Sequence, residues 1–168
     1  MNRWLRLLKH RQLDERDAAR VLAPEALARI EARVAASERR HSGEIRVCIE
    51  AGLPLSYLRR NASPRERAVA MFGKLRVWDT EHNNGVLIYL LLAEHAIEIV
   101  ADRGLSRHVD AAQWQAIMAT MRAAFQASEF EPGLAQAVDA VDALLAKHFP
   151  LAPGVANPNE LPDAPVLR

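Results

Sequence analysis

The sequence predicts an α/β domain built on a small mixed sheet of three to four strands with helices on both faces. Two segments have the patterns of strands: 44–50 alternates apolar with polar residues, and 86–92 is almost continuously apolar. Apolar residues at helical spacing lie before, between and after them. The predicted order is therefore helix, strand, helix, strand, strand, helix, helix.

The first helix and the first strand follow from local signals. The spacing predicts a helix over about 24–40, starting at Pro24, and Gly43 is expected to adopt a positive φ at its C-terminal cap. In the strand at 44–50 the isoleucine and valine side chains share one face of the sheet. Cys48 lies on the opposite face, where we expect it to be inert packing.

The middle of the chain predicts a helix followed by a hairpin. Residues 63–66 read Ser-Pro-Arg-Glu, a capping box with proline at the first helical position, and the helix is expected to reach about Val77. The apolar run 86–92 is typical of a central strand that is covered on both faces. A short turn at 94–96 joins it to 97–100, so these two strands are expected to pair in antiparallel.

Two helices are predicted after the hairpin. Asp110 is placed to cap the first, and the second begins near Pro132 and ends at Phe149-Pro150. The first carries an apolar stripe that we expect to be core: Trp114, Met118, Met121 and Phe125.

The chain divides into three parts. A basic amphipathic segment at 1–22 precedes the domain at 24–149. The tail at 150–168 holds five of the nine prolines and has no periodic apolar pattern, so we expect it to be extended or disordered.

Composition excludes several classes of protein. The 22 basic and 21 acidic residues leave a net charge of +1, which gives no general field for nucleic acid. The longest apolar run, 86–93, is far shorter than the roughly 20 residues of a membrane-spanning helix. Cys48 is the single cysteine and the N-terminus lacks a signal-peptide core, so we expect a cytoplasmic protein.

The first twelve residues form a short basic amphipathic segment. Four cations and no acid are interleaved with one tryptophan and three leucines: Arg3, Arg6, Lys9 and Arg11 with Trp4, Leu5, Leu7 and Leu8. Such a segment could rest on an anionic membrane surface or dock a protein partner. Alternatively, its leucine and tryptophan face packs on the domain or frays.

The polar loop at 79–84 is the densest group of candidate metal ligands. Asp79, Glu81 and Asn83 carry hard oxygen atoms, and hairpin pairing of the following strands would bring Asp102 near them. Oxygen ligands of this kind suit Ca²⁺ or Mg²⁺. The alternative is turn chemistry, in which the Asn-Asn-Gly sequence forms the turn and Asp79 and Thr80 end the preceding helix by hydrogen-bonding to the backbone.

Cations near the same loops are candidates for binding an anion or a partner. Arg76, Arg103 and His82 could together bind a phosphate or a carboxylate. Pairing with the neighbouring acidic residues on the surface is the alternative, which we favour.

No catalytic signature is present in the sequence. Cys48 would need a base such as His41 or His95 to act as a nucleophile, and nothing in the sequence brings them together. There is no zinc-binding His-Glu-x-x-His motif and no glycine-rich phosphate loop. We therefore assign no catalytic residue.

Three separated blocks of this sequence resemble the TPM domain family: Gly43-Glu44-Ile45-Arg46, residues 75–89 (LRVWDTEHNNGVLIY), and residues 98–104 (EIVADRG). The resemblance covers about 24–149, in the order of the family, and is greatest to its soluble bacterial members. It implies a three-layer α/β/α sandwich.

For some members of the family the resemblance implies binding of divalent metal ions and a weak acid phosphatase activity. Other members resemble assembly, repair or receptor-accessory proteins. Here Asn83 stands where the family usually has aspartate, Val100 replaces a glutamate, and Asp102 replaces a glycine. These departures remove or relocate negative charge.

Two hypotheses of function follow. The first is an accessory protein of the TPM family that binds an unknown protein partner, in protein-complex or envelope maintenance, with weak divalent-metal binding. The alternative is a metal-dependent acid phosphatase that acts on phosphate monoesters.

Overall fold

The computed structural model describes residues 3–13 and 15–168. Within these residues the chain forms a mixed sheet with helices on both faces. The strands are β1 (Ile45–Glu50), β2 (Val86–Leu91), β3 (Ala96–Ala101) and β4 (Val166–Leu167). The helices are α1 (Arg3–Arg11), α2 (Glu15–Val21), α3 (Pro24–Ser37), α4 (Leu55–Arg59), α5 (Pro64–Lys74), α6 (Arg103–Ser106), α7 (Ala111–Gln126) and α8 (Phe130–His148).

The strands lie in the order β3-β2-β1-β4. β1 is parallel to β2, with Val47 opposite Ile88, and β2 is antiparallel to β3, with Ile88 opposite Ile99. The predicted hairpin is confirmed. A short 3₁₀ turn at Leu92–Glu94 and a left-handed His95 make its connection.

Each face of the sheet has its own core, as the alternation along β1 predicts. Ile45, Val47 and Ile49 pack with buried residues of α2, α3, α7 and α8. Cys48 packs on the opposite face, with buried residues of α4 and α5. Helices on both sides of one sheet make the three layers of an α/β sandwich.

The helix starts follow the predicted capping signals. At α5 the Glu66 amide donates to Ser63 Oγ (3.2 Å), and the Ser63 amide donates to Glu66 Oε2 (2.7 Å). Asp110 caps α7 by accepting from the Gln113 amide at 2.7 Å. Gly43 differs from expectation, because α3 ends at Ser37 and Gly43 does not have a positive φ. A Cβ at Gly43 would instead lie 2.5 Å from the Leu145 side chain.

The α5 face contains a buried ionic network that sequence reasoning missed. Arg67 donates to both carboxylate oxygens of Glu50, with N–O distances of 2.8 Å and 2.5 Å, and the Tyr89 hydroxyl donates to Glu50 Oε2 at 2.6 Å. All three residues are buried. Burial, together with the nearby charge of Glu50, raises the pKa of Tyr89, so its hydroxyl stays protonated and donates.

Most of the tail at 150–168, which is predicted to be extended or disordered, has no regular secondary structure, and its last residues form a short strand. β4 pairs in parallel with β1, and Arg168 exchanges backbone hydrogen bonds with Ile49 and Ala51 at 2.9 Å and 2.8 Å. Before β4, Leu161 is buried and its amide donates to Glu44 Oε2 at 3.0 Å. Contacts with distant parts of the domain hold the tail in place, although its own sequence favours no regular secondary structure.

The short helices α2, α4 and α6 were not predicted. They contain 7, 5 and 4 residues, too few for a periodic pattern to show. Among the described helices, none combines the length and the apolar character needed to cross a lipid bilayer.

Candidate functional site

Two loops meet at one end of the sheet, where β2 begins and β3 ends. The Asp102 amide donates to the Gly85 carbonyl at 2.9 Å, and the Gly104 amide donates to the Asn83 carbonyl at 2.8 Å. The start of β1 lies at the same end, because the Val86 amide donates to the Glu44 carbonyl at 2.8 Å. These two loops, residues 79–85 and 102–104, form the loop cluster, and six of the seven candidate site residues lie in it.

Two glycines allow this close approach. A Cβ at Gly85 would lie 2.0 Å from the Val77 carbonyl oxygen, and one at Gly104 would lie 2.4 Å and 2.5 Å from the carbonyl oxygens of Asn83 and His82. Both obstacles are backbone atoms, which cannot move aside as a side chain can. Glycine at both positions is therefore a packing requirement of the loop cluster.

Asn83, Asp102 and Arg103 lie together in the loop cluster. Asn83 has φ 52°, a left-handed conformation that asparagine tolerates in turns, and its Oδ1 accepts from Arg103 Nε at 3.1 Å. Asp102 Oδ1 accepts from the Arg103 amide at 2.7 Å. The other oxygen, Asp102 Oδ2, is buried and has no hydrogen-bond partner among the described residues.

The remaining candidate residues make other contacts or are exposed. Arg76 Nη2 and Asp79 Oδ2 form an exposed ion pair at 2.5 Å, so these two candidates bind each other. Glu81 and His82 are exposed, and the Glu81 amide donates to Glu160 Oε1 in the tail at 3.0 Å.

These positions decide whether a divalent ion fits the proposed ligand set. In the described part of the chain, no group of three or more His, Cys, Asp or Glu side chains is arranged to hold a metal ion. Ca²⁺ requires about six to eight oxygen ligands. The set of Asp79, Glu81, Asn83 and Asp102 supplies at most four side chains, and Asp79 is paired with Arg76, so it does not fit that requirement in this conformation.

Sequence reasoning missed a buried asparagine beside the cluster. Asn84 is fully buried, its amide donates to Thr80 Oγ1 at 3.1 Å, and its side-chain Nδ2 donates to Ser42 Oγ at 3.2 Å. The sequence signal that could have found it was its position between the turn residue Asn83 and the fully apolar strand that begins at Val86. The Thr80 contact is the turn chemistry that the sequence offered as an alternative for this loop.

Cys48 is not activated for nucleophilic chemistry. Burial raises the pKa of its thiol to about 12, aided by the charge of Glu50. His41 is fully buried, and burial lowers its pKa to about 4. The thiol therefore remains protonated at neutral pH, in agreement with its expected role in packing.

A groove runs along the outer edge of the sheet. β3 is the edge strand, and the groove beside it has a volume of about 620 Å³. Because the backbone of Asp102 faces β2, alternation along the pair directs the N–H and C=O groups of Ile97, Ile99 and Ala101 away from β2. Arg65 donates to one of these groups, the Ile99 carbonyl.

Helix α7 and charged side chains complete the groove. Trp114 and Met118, predicted as core, are only half-buried and line it. Arg65, Arg122 and Glu98 also line it. Burial raises the pKa of Glu98, against the opposing effect of the charges of Arg65 and Arg122.

A four-stranded mixed sheet between two helical layers, with loops meeting where β2 begins, defines a three-layer α/β sandwich protein. The chain belongs to the TPM domain family, whose family model matches residues 16–144. The recognition made from the three sequence blocks is thereby confirmed.

A solved structure supports the same fold. The chain is similar to the NMR structure of the BA42 protein from the psychrophilic bacterium Bizionia argentinensis, with a TM-score of 0.74 and 27% sequence identity. The similarity covers 86% of this chain and 94% of the BA42 chain. No curated protein is significantly similar to the chain.

Proposed function

We propose that this protein is a TPM-domain accessory protein that binds an extended segment of a partner protein along β3, in the maintenance of a protein complex or of the envelope. The observation that carries the proposal is the open edge of β3 beside a groove. An extended segment can add as a further strand to such an edge, where backbone hydrogen bonds supply affinity and side-chain pockets supply specificity.

The groove indicates what the segment carries. Half-buried Trp114 and Met118 offer apolar surface for an aliphatic or aromatic side chain. Arg65 and Arg122 outnumber Glu98, so the lining favours a carboxylate on the incoming segment. A carboxylate that binds Arg65 would also free the Ile99 carbonyl for the added strand.

The proposed compartment is the cytoplasm. Cys48 is a buried free thiol in the described structure, and an unpaired cysteine suits a reducing environment.

Peptides selected from a random phage-displayed library test the binding site. We expect selected peptides to be enriched in acidic and aliphatic residues and to shift the backbone amide NMR signals of Ile97, Ile99 and Ala101. Met118→Glu and Arg122→Glu should each weaken binding by roughly tenfold or more. Arg107→Glu, at an exposed cation that is not among the residues lining the groove, is the control. Peptides that bind the groove variants as tightly as the wild type would contradict the proposal.

A metal-dependent acid phosphatase is the second candidate. The unpartnered buried Asp102 Oδ2 and the neighbouring Arg103 favour it, because a carboxylate oxygen can bind a divalent ion and a guanidinium group can donate to a phosphate ester. A divalent ion in such a site would neutralise charge on the phosphate. Asn83 and Asp102 alone do not supply a full ligand set, so this candidate ranks below partner binding.

Thermal unfolding with Ca²⁺ or Mg²⁺, and hydrolysis of p-nitrophenyl phosphate at acid pH, test the second candidate. A native-state ligand must raise Tm, so we expect a rise for the wild type and none for Asp102→Asn, with turnover lost in parallel. Asp139→Asn, an exposed aspartate of α8, is the control. Absence of both the Tm rise and turnover in the wild type would remove this candidate.

A further inference from the structure

Helix α1 is attached to the domain through its polar side. Arg6 donates to Glu94 Oε1 at 2.7 Å, to Asn61 Oδ1 at 2.9 Å and to the Ala62 carbonyl at 2.6 Å. Only one apolar residue of α1, Leu7, packs against the core beneath it. Most amphipathic helices pack on a domain through their apolar face, whereas α1 packs through its polar face.

His10 makes the attachment specific. The Leu53 amide donates to His10 Nδ1 at 2.9 Å, so Nδ1 is the acceptor and Nε2 carries the hydrogen that it donates to Glu94 Oε1, also at 2.9 Å. His10 is buried, and a Cβ at Gly52 would lie 2.7 Å from its carbonyl oxygen. These contacts fix how α1 is rotated on the domain.

The fixed rotation points the apolar stripe outward. Trp4, Leu5 and Leu8 are 74%, 60% and 57% exposed. At about 100° per residue the three positions span an arc of roughly 100° on the helix. An exposed stripe of this size on a helix held by its polar side marks an interaction surface.

Cations border the stripe on both sides. Lys9 and Arg11 are exposed, and helical geometry places each within roughly 40° of the stripe, one beyond Leu5 and one beside Trp4. Residues 1–12 contain no acidic residue. An apolar stripe with a tryptophan, bordered by long cationic side chains that can extend to headgroups, is the pattern of a helix that lies in a membrane interface.

We propose that α1 is a membrane-docking helix, which inserts Trp4, Leu5 and Leu8 into the headgroup region of an anionic bilayer while Lys9 and Arg11 bind lipid phosphates. The contacts of Arg6 and His10 with Glu94 hold the domain above the surface. Charge complementarity favours an anionic membrane over an apolar protein groove, because both borders of the stripe carry the same sign. Three apolar side chains give reversible binding that depends on salt.

Vesicle co-sedimentation of the full chain tests the proposal. We expect binding to phosphatidylcholine vesicles with about 30% phosphatidylglycerol, and at least tenfold weaker binding to phosphatidylcholine alone, at about 0.1 M salt. The double variant Leu5→Gln/Leu8→Gln should lose at least tenfold of the binding, and Lys9→Glu/Arg11→Glu should lose the preference for anionic lipid. Val69→Gln/Val155→Gln removes two exposed apolar side chains elsewhere and should bind as the wild type does.

Several outcomes would overturn the proposal. One is an absence of vesicle binding by the wild type. A second is equal binding by the wild type and Leu5→Gln/Leu8→Gln when circular dichroism shows both folded. A third is self-association through α1 in place of lipid binding, which would assign the stripe to a protein contact. Met118→Glu should leave vesicle binding unchanged, which separates this surface from the proposed β3 groove.

Discussion

The buried carboxylate of Glu50 shows how a single residue depends on its partners. Its two oxygens accept from Arg67 and Tyr89, and the Arg67 guanidinium also lies over the Tyr57 ring, 5.0 Å from the ring centroid. The hydrogen bond and charge of Glu50 raise the pKa of Arg67, although burial opposes them. A buried charge with one partner removed is costly, because it is neither solvated nor neutralised.

Arg67→Met should therefore lower the free energy of unfolding by about 3–5 kcal/mol, since it leaves Glu50 charged and buried. Tyr89→Phe, which removes one hydrogen bond to a charged group, should cost about 1.5–3 kcal/mol. Urea unfolding monitored by circular dichroism measures both. In the control Arg33→Met, loss of the exposed Arg33–Asp139 pair should cost at most about 1 kcal/mol. Equal losses for Arg67→Met and Arg33→Met would show that the buried network does not stabilise the fold.

Two glycines provide a second test of how single residues affect stability. Gly85→Ala places a Cβ against the Val77 carbonyl, so we expect it to destabilise the protein by at least about 2 kcal/mol. Gly73 lies in α5, and a Cβ there would meet no heavy atom within 4 Å, so Gly73→Ala should stabilise by about 0.5–1 kcal/mol. Thermal unfolding of the two variants should give shifts of opposite sign. A Gly85→Ala protein as stable as the wild type would refute the close approach.

At the scale of elements, the tail covers a group of buried acidic residues at the start of β1. Glu38 Oε1 accepts from the Ile45 amide at 2.9 Å. Burial raises the pKa of Glu38 to about 9, and the charges of Glu44 and Asp163 act in the same direction. Arg46 is the cation of this group, and it donates to two carbonyls of the tail, those of Pro162 and Ala164.

The raised pKa of Glu38 predicts a loss of stability in alkali. The folded state holds a proton that the unfolded state releases near pH 4.5, so this contribution is complete below that pH and is lost as the pH rises through about 9. We expect Tm to fall between pH 7 and pH 10, and amide exchange in β4 to become faster. Glu38→Gln keeps the acceptor for Ile45 and does not ionise, so its Tm should fall less. An identical alkaline fall in Glu38→Gln would assign the effect to other groups.

The attachment of α1 also depends on charge. Burial acts to raise the pKa of Glu94, but hydrogen bonds from His10 and Arg6 outweigh it, and the net effect is a lowered pKa. The contribution of Glu94 to the attachment is therefore present while its carboxylate is ionised, and it is lost as the pH falls through that lowered value. Sequence alone left open whether the leucine and tryptophan face packs on the domain, frays or forms an interaction surface, because it could not show that Glu94 would hold the polar side.

For the whole molecule, the sequence predicted the elements with long periodic patterns. The strands β1 to β3 and the helices α3, α5, α7 and α8 follow from apolar spacing and capping residues. β4 could not be predicted, since its two residues lie in a proline-rich segment and become ordered only by pairing with β1. Order that depends on tertiary contacts leaves no local pattern.

The candidate site was predictable in its location but not in its contacts. Hairpin pairing of β2 and β3 places Asp102 beside Asn83, as the loop positions suggested. The bond from Arg103 to Asn83 depends on side-chain conformation, which no spacing encodes. The pair of Arg76 and Asp79, three residues apart, is the local alternative that the sequence did offer.

The position of β1 in the sheet also determines when the fold can be completed. β1 pairs on one side with β2 and on the other with β4, a strand that comes more than a hundred residues later in the chain. Contacts between such distant residues slow folding, because a long loop must close before they form. During synthesis β1 therefore keeps an open edge after the rest of the sheet has paired, and that interval exposes the nascent protein to edge-to-edge aggregation.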